Sequence, residues 1–283
     1  MRKIVIFLCA LLLVANSPAL CQEWQELKSE HFIVYFTQDE SFAKDVSYKA
    51  EVYYQRIAAD LGYARYSNFW TWDNRVKIYI YKEKEAFLKA TGQPNWSEGM
   101  ADYRNKQIIS YAWSKGFVES LLPHEMAHLI FRDFVGFKGE VPLWLDEGVA
   151  QWEEQAKRNE YQQLAKHYLK QNTLLSLEDM MRLDIRTVRE VDKIQVRSIL
   201  RKNGERVMLL IGGENLVTIY YSQSVALTGF LIEKYGTISF IDFCRQLRDG
   251  KSLQDALRAA YSTYSIRTIQ NLEDRWIAYL QEG

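Results

Sequence analysis

His124-Glu125-Met126-Ala127-His128 places two imidazoles and a carboxylate within five residues of a chain that has only four histidines. On an α-helix, positions four apart project from one face, with Cβ atoms about 5–6 Å apart. Two Nε2 atoms so placed can reach one metal ion at about 2.0–2.1 Å. Glu125 is turned by about 100° from His124, so it can flank such an ion without ligating it. Two ligands and a general base for a metal-bound water are what metal-assisted hydrolysis needs. The plain alternative is an incidental match on an ordinary helix. His31 and His167, the remaining histidines, read as ordinary strand and surface-helix residues.

A catalytic zinc site takes three protein ligands and leaves the fourth position to water, so a third side chain is required. A metzincin pattern would need Gly at 131 and His at 134, where Phe131 and Phe134 stand. Asp133 lies on the same helix but on the wrong side, and Glu140 sits in an exit loop that would fix it poorly. Glu147 is the strongest candidate, within the stretch Pro142-Leu143-Trp144-Leu145-Asp146-Glu147-Gly148-Val149-Ala150. Pro142 opens a new helix, Trp144 and Leu145 anchor it, and the small Gly148 and Ala150 allow close packing on the metal helix. Asp146 is the fallback, with Glu153 and Glu154 behind it. The bland reading of Glu147 is a solvent-facing helix carboxylate.

The elements that would position these groups follow from periodicity. His31–Phe36 is an unbroken β-branched and aromatic run, hence a strand. Phe42, Val46, Ala50, Tyr53, Ile57 and Leu61 recur every three to four residues and predict a helix over 41–61. Arg75–Tyr81 reads as a second strand, followed by a short helix near Lys82. Gly99–Tyr103 and Gln107–Tyr111 predict a hairpin turning at Arg104-Asn105-Lys106. The motif helix runs from about Lys115 to Phe134. From Leu143 onward the pattern is almost entirely helical, with helices over about 143–171, from 176, over Tyr221–Tyr235, near Leu253–Leu257 and over Ser265–Leu280. Residues 185–217 are the least regular, and a solvated helix and loop is favoured there over an insertion or lid.

Arg2 and Lys3 precede an apolar run, Ile4–Ala15, and then Pro18 and small residues, the pattern of a secretory signal peptide over residues 1–21. Cleavage after Ala19 or Cys21 would suit it; acylation of Cys21 as a lipoprotein is disfavoured by Leu20. The chain is therefore expected outside the cytoplasm, periplasmic or secreted. Lys plus Arg and Asp plus Glu balance at 36 each, and losing Arg2 and Lys3 with the leader leaves a slight acidic excess. That argues against a nucleic-acid partner, which would call for a basic stripe. No segment of the mature chain is apolar enough for a membrane span. With so few cysteines the fold must rest on its core, and 48 % hydrophobic residues supply one.

Taken together, His124-Glu125-x-x-His128 and Trp144-Leu145-x-Glu147-Gly148-x-Ala150 resemble the gluzincin metallopeptidases, specifically the peptidase-MA-like group of exported bacterial proteins. The resemblance implies an α+β, zincin-like fold. A signal peptide (1–21) would precede an N-terminal subdomain (22–142) with a small mixed β-sheet, helices and the active-site helix, then an all-helical C-terminal subdomain (143–283) supplying the third ligand. It implies one zinc ion on His124, His128 and Glu147, with Glu125 as catalytic base and a peptide or protein substrate. It also places a tyrosine at Tyr221 to donate to the developing oxyanion, with Tyr220 as an adjacent rival and core packing as the alternative. In such enzymes an edge strand beside the metal helix holds the substrate; Gly99–Tyr103 fits that place, or is an ordinary hairpin. The match departs at residues 185–217, which are long, and at Gln151, where relatives carry an acid supporting a ligand histidine. A non-catalytic binding protein on the same fold, or a hydrolase of a non-peptide bond, are the competing functions; the intact Glu125 argues against the first.

Overall fold

The computed structural model describes residues 24–61, 70–95, 97–112, 116–136, 141–200 and 205–282. The leader with Cys21, and Glu140, lie outside them. Five short strands, β1 (Gln25–Lys28), β2 (Phe32–Phe36), β3 (Val76–Tyr81), β4 (Gly99–Asp102) and β5 (Gln107–Tyr111), form one sheet in the order β1-β2-β3-β5-β4. β2, β3 and β5 are parallel, whereas β1 and β4 run antiparallel at the two edges. Period-two burial drives this: Phe32, Val34, Phe36, Val76, Ile78 and Ile80 are buried on one face. Helix α1 (Glu40–Asp60) crosses from β2 to β3 and covers that face with Val46, Ala50, Tyr54 and Ile57. On the opposite face Tyr35 and Tyr79 stack at 4.8 Å, with Trp24 edge-on to Tyr79. A short helix, α2 (Lys84–Thr91), follows β3.

The motif helix α3 (Leu122–Val135) lies beside α1 and β4. A π-helical turn at Phe117–Leu121 leads into it. Gly136 ends it at φ +72°, the left-handed cap that glycine adopts most cheaply. After α3, the expected helix over 143–171 is broken into α4 (Leu143–Trp152) and α5 (Arg158–Lys170). The break has a visible cause. Glu153 is fully buried and its carbonyl accepts from Arg56 Nη2 of α1 at 2.7 Å, while Arg158 Nη2 lies 3.4 Å from its carboxylate. The chain turns there to seat a buried ion pair.

Beyond α6 (Leu177–Arg182), the expectation of a solvated helix and loop over 185–217 is not met. Among the described residues this stretch holds a two-stranded antiparallel hairpin, β6 (Lys193–Ile199) and β7 (Arg206–Gly212). Val196 and Ser198 point inward and Lys193 and Gln195 outward, a period of two that the high charge of the segment concealed. Helix α7 (Gly213–Tyr235) starts directly after β7, so Tyr221 sits inside this helix and does not open it. Helices α8 (Thr237–Arg248), α9 (Leu253–Tyr261) and α10 (Ile269–Glu282) complete the C-terminal half, of which α8 was not foreseen, nor was β1 in the first half. The architecture is α+β, with the small mixed sheet first and a helical region, interrupted by one hairpin, after it.

The packing of α4 on α7 fixes where Glu147 stands. A Cβ on Gly148 would fall 2.3 Å from Thr228 Oγ1 and 2.6 Å from the Ser224 carbonyl oxygen. The second neighbour is backbone and cannot swing away. Gly148→Ala is therefore expected to cost about 1–3 kcal/mol, as overpacking does, read as a drop in thermal or denaturant midpoint.

Candidate metal centre

α3 presents His124, Glu125 and His128 toward α4, and the rings of the two histidines meet edge to face at 4.9 Å. Their Nε2 atoms are 3.2 Å apart. Glu147 Oε2, from the first half of α4, lies 3.9 Å from His124 Nε2 and 4.0 Å from His128 Nε2. Among the described residues these three form the one cluster of His, Cys, Asp or Glu with atoms close enough to share a metal ion.

The other ring nitrogen of each histidine faces a carboxylate. His124 Nδ1 lies 2.9 Å from Glu154 Oε1, and Glu154 is itself held by Lys157 Nζ at 2.6 Å and by the Ser120 hydroxyl. His128 Nδ1 lies 3.1 Å from Asp146 Oδ1, and Arg132 Nη2 donates to Asp146 Oδ2 at 2.8 Å. A carboxylate facing each Nδ1 draws the ring proton there and leaves the Nε2 lone pairs facing each other. Three electron-rich atoms then converge on one point, which is unfavourable without a cation between them. Two nitrogens at about 2.05 Å from a tetrahedral zinc would be separated by about 3.3 Å, close to the 3.2 Å found. Glu147 needs to approach by roughly half an ångström more. The residues fit a metal ion, and carboxylate-backed histidines are the usual support for one.

The electrostatics agree. Burial works against a charged His128, but Asp146, Glu147 and Glu125 outweigh it and hold its pKa up at about 9. Burial likewise opposes ionised Glu154 and Asp146. Glu154 is nonetheless held down at about 2 by His124, Lys157 and Ser120, and Asp146 is lowered by His128 and Arg132. Glu125 is 9 % exposed, and burial raises its pKa against the pull of the two histidines. It lines a cleft of about 400 Å³ together with Glu98, Ser120, Leu121, His124 and Lys157.

Of the weaker ligand candidates, Asp133 pairs with Lys106 at 2.7 Å and accepts from Trp70 Nε1 at 2.8 Å, away from the cluster. Glu153 faces Arg56 and Arg158; burial raises its pKa to about 7 despite them. Asp146 and Glu154 back the histidines, a pairing the sequence reading did not assign. Glu154 lies just past the end of α4, so helical spacing gave no signal for it. Gln151 is buried, and the support its departure put in doubt comes from those two acids. His31, sealed in the core, pairs with Glu51 at 2.6 Å and stacks on Tyr54.

Tyr221 and Tyr220 both lie within the field of Glu147. Tyr220 is 1 % exposed, whereas Tyr221 is only partly buried. Burial first, and the Glu147 charge second, push the Tyr221 hydroxyl up to about 12. A hydroxyl in that range stays a donor at neutral pH.

Residues 66–184 match the Peptidase MA superfamily. The span contains α3, α4 and the edge strand β4, hence all three convergent side chains and both carboxylates behind the histidines. The Peptidase MA match makes this part of the chain metallopeptidase-like. No curated protein matches the chain.

Proposed function

We propose that this protein is an exported, zinc-dependent metallopeptidase of the gluzincin type. The observation that carries the reading is the convergence of His124 Nε2, His128 Nε2 and Glu147 Oε2 beside a buried Glu125. His124, His128 and Glu147 would hold the ion, leaving a fourth position open. The ion would supply a Lewis acid for the scissile carbonyl and lower the pKa of water to about 7. Glu125 takes the proton of the attacking water and returns it to the leaving amine, a role suited to a carboxylate whose pKa burial has raised. Tyr221, protonated and partly exposed, donates to the oxygen on which negative charge develops.

β4 supports a peptide substrate. It is a sheet edge, paired on one side with β5 and lying along α3, so its free side can accept an extended chain as a further strand. The positive and apolar leader residues support export.

The test is metal dependence of cleavage. Purified mature protein should hold about one zinc per chain and cleave a mixed peptide library; chelation should abolish cleavage and added zinc should restore it. A protein that never takes up zinc would sink the reading. One that holds zinc and cleaves nothing would favour a binding protein on this fold.

A further inference from the structure

His128 is gripped on two sides, and one grip comes from the strand proposed to receive substrate. Tyr103, the residue directly after β4, sets its ring edge to face against the His128 imidazole at 6.2 Å. The Arg132 guanidinium lies 3.9 Å from the centre of the same tyrosine ring, within cation–π range. Arg132 follows His128 by one helical turn, so both project from the same face of α3. Its Nη2 donates to Asp146, whose other oxygen faces His128 Nδ1. Tyr103, Arg132, Asp146 and His128 thus close a ring of contacts joining β4, α3 and α4. His124 is held differently, by Glu154 with Ser120 and Lys157, none of them on the sheet.

The geometry points to Tyr103 and Arg132 as positioning residues that tie the edge strand to the orientation of His128. The inference rests on the metallopeptidase reading above. Tyr103 acts through its ring: it presses on His128 from one side and seats the flat face of Arg132, which steers Asp146 onto Nδ1 from the other. Arginine suits this place because a planar guanidinium stacks on an aromatic face while its nitrogens still donate in a fixed plane. Fixing the imidazole in this way raises affinity for a metal, and supports of this kind are worth about 10–100-fold in affinity or activity. A peptide lying along β4 would bear on the strand that leads directly into Tyr103, so substrate binding and ligand orientation share one mechanical element.

The experiment compares Tyr103→Leu, Tyr103→Phe, Arg132→Lys and Lys106→Met in the full chain. Zn²⁺ affinity is read by competition with a chromophoric chelator, and kcat and KM on a peptide. Lys106→Met is the structural control, because Lys106 anchors the same hairpin to Asp133 without touching His128. Tyr103→Leu and Arg132→Lys should each weaken zinc by about 10-fold or more, with kcat falling more than KM rises. Tyr103→Phe keeps the ring and should restore affinity to within about threefold, and Lys106→Met should bind zinc as the wild type does. Wild-type zinc affinity in Tyr103→Leu, or equal losses in Lys106→Met, would overturn the inference. So would a Tyr103→Phe variant as impaired as Tyr103→Leu. If Tyr103→Leu fails to fold, Arg132→Lys decides alone. A wild-type protein that takes up no zinc overturns the functional reading itself, which is a different result from tight wild-type binding left unchanged in the variants.

Discussion

Glu125→Gln is expected to keep its zinc and lose peptide cleavage, with kcat down by about 10²–10⁴-fold, the range general acid–base catalysis supplies. Glutamine fills the same space but cannot accept a proton from water. Glu125 lies between the two histidines in sequence and does not belong to the convergent trio, so zinc content should stay near one per chain. KM should change little, because the carboxylate is asked to act in the transition state and not to bind substrate. A second consequence follows from burial. An ionised Glu125 is costly where it stands, as its raised pKa records, so the metal-free Gln variant should be no less stable than the metal-free wild type. Cleavage at the wild-type rate by this variant would place the base elsewhere.

Glu147→Ala is expected to lose zinc almost completely, by far more than the 10–100-fold that follows loss of a supporting partner. Asp146→Ala should fall within that lesser range, since Asp146 orients His128 from the Nδ1 side. The order of the two effects, measured by chelator competition, separates ligand from support, and the opposite order would make Asp146 the ligand. Folding is not the cause of either expectation for Glu147. Its side chain is 20 % exposed and makes its contacts with the histidines, so the metal-free Ala variant should unfold close to the wild-type midpoint.

The site was legible in the sequence to the extent that it depends on local spacing. His124 and His128 share a helix face whatever surrounds them, and a carboxylate shortly after a Pro-initiated helix start could be found by counting. Glu154 was harder because it lies past the break that ends α4, and Asp146 because its role depends on the angle at which α4 meets α3. That angle is set by Gly148 against Ser224 and Thr228, a contact nearly eighty residues long in sequence. Tyr103 was hidden for a different reason: one tyrosine among 18 carries no signal until the hairpin is laid against α3. The parallel strands β2 and β3 were readable because both of them are dense in apolar and β-branched residues. The β6–β7 hairpin was not, since its outer face carries Lys193, Gln195 and Arg197, and charge masked the alternation. The break after Trp152 was also invisible, because the buried Glu153 meets an arginine from α1.

The close seating of α4 on α7 has a thermodynamic consequence. Two of the converging atoms ride on the helix packed against the sheet, and the third rides on a helix held by the C-terminal half. An ion bound to all three needs both halves docked, so its binding free energy is also resistance to unfolding, about 4 kcal/mol at a free concentration a thousand times Kd. Stripping the ion should then lower the unfolding temperature of the entire chain and leave the two halves freer to part. The groups that would run the chemistry would also set how long the protein lasts once its ion is gone.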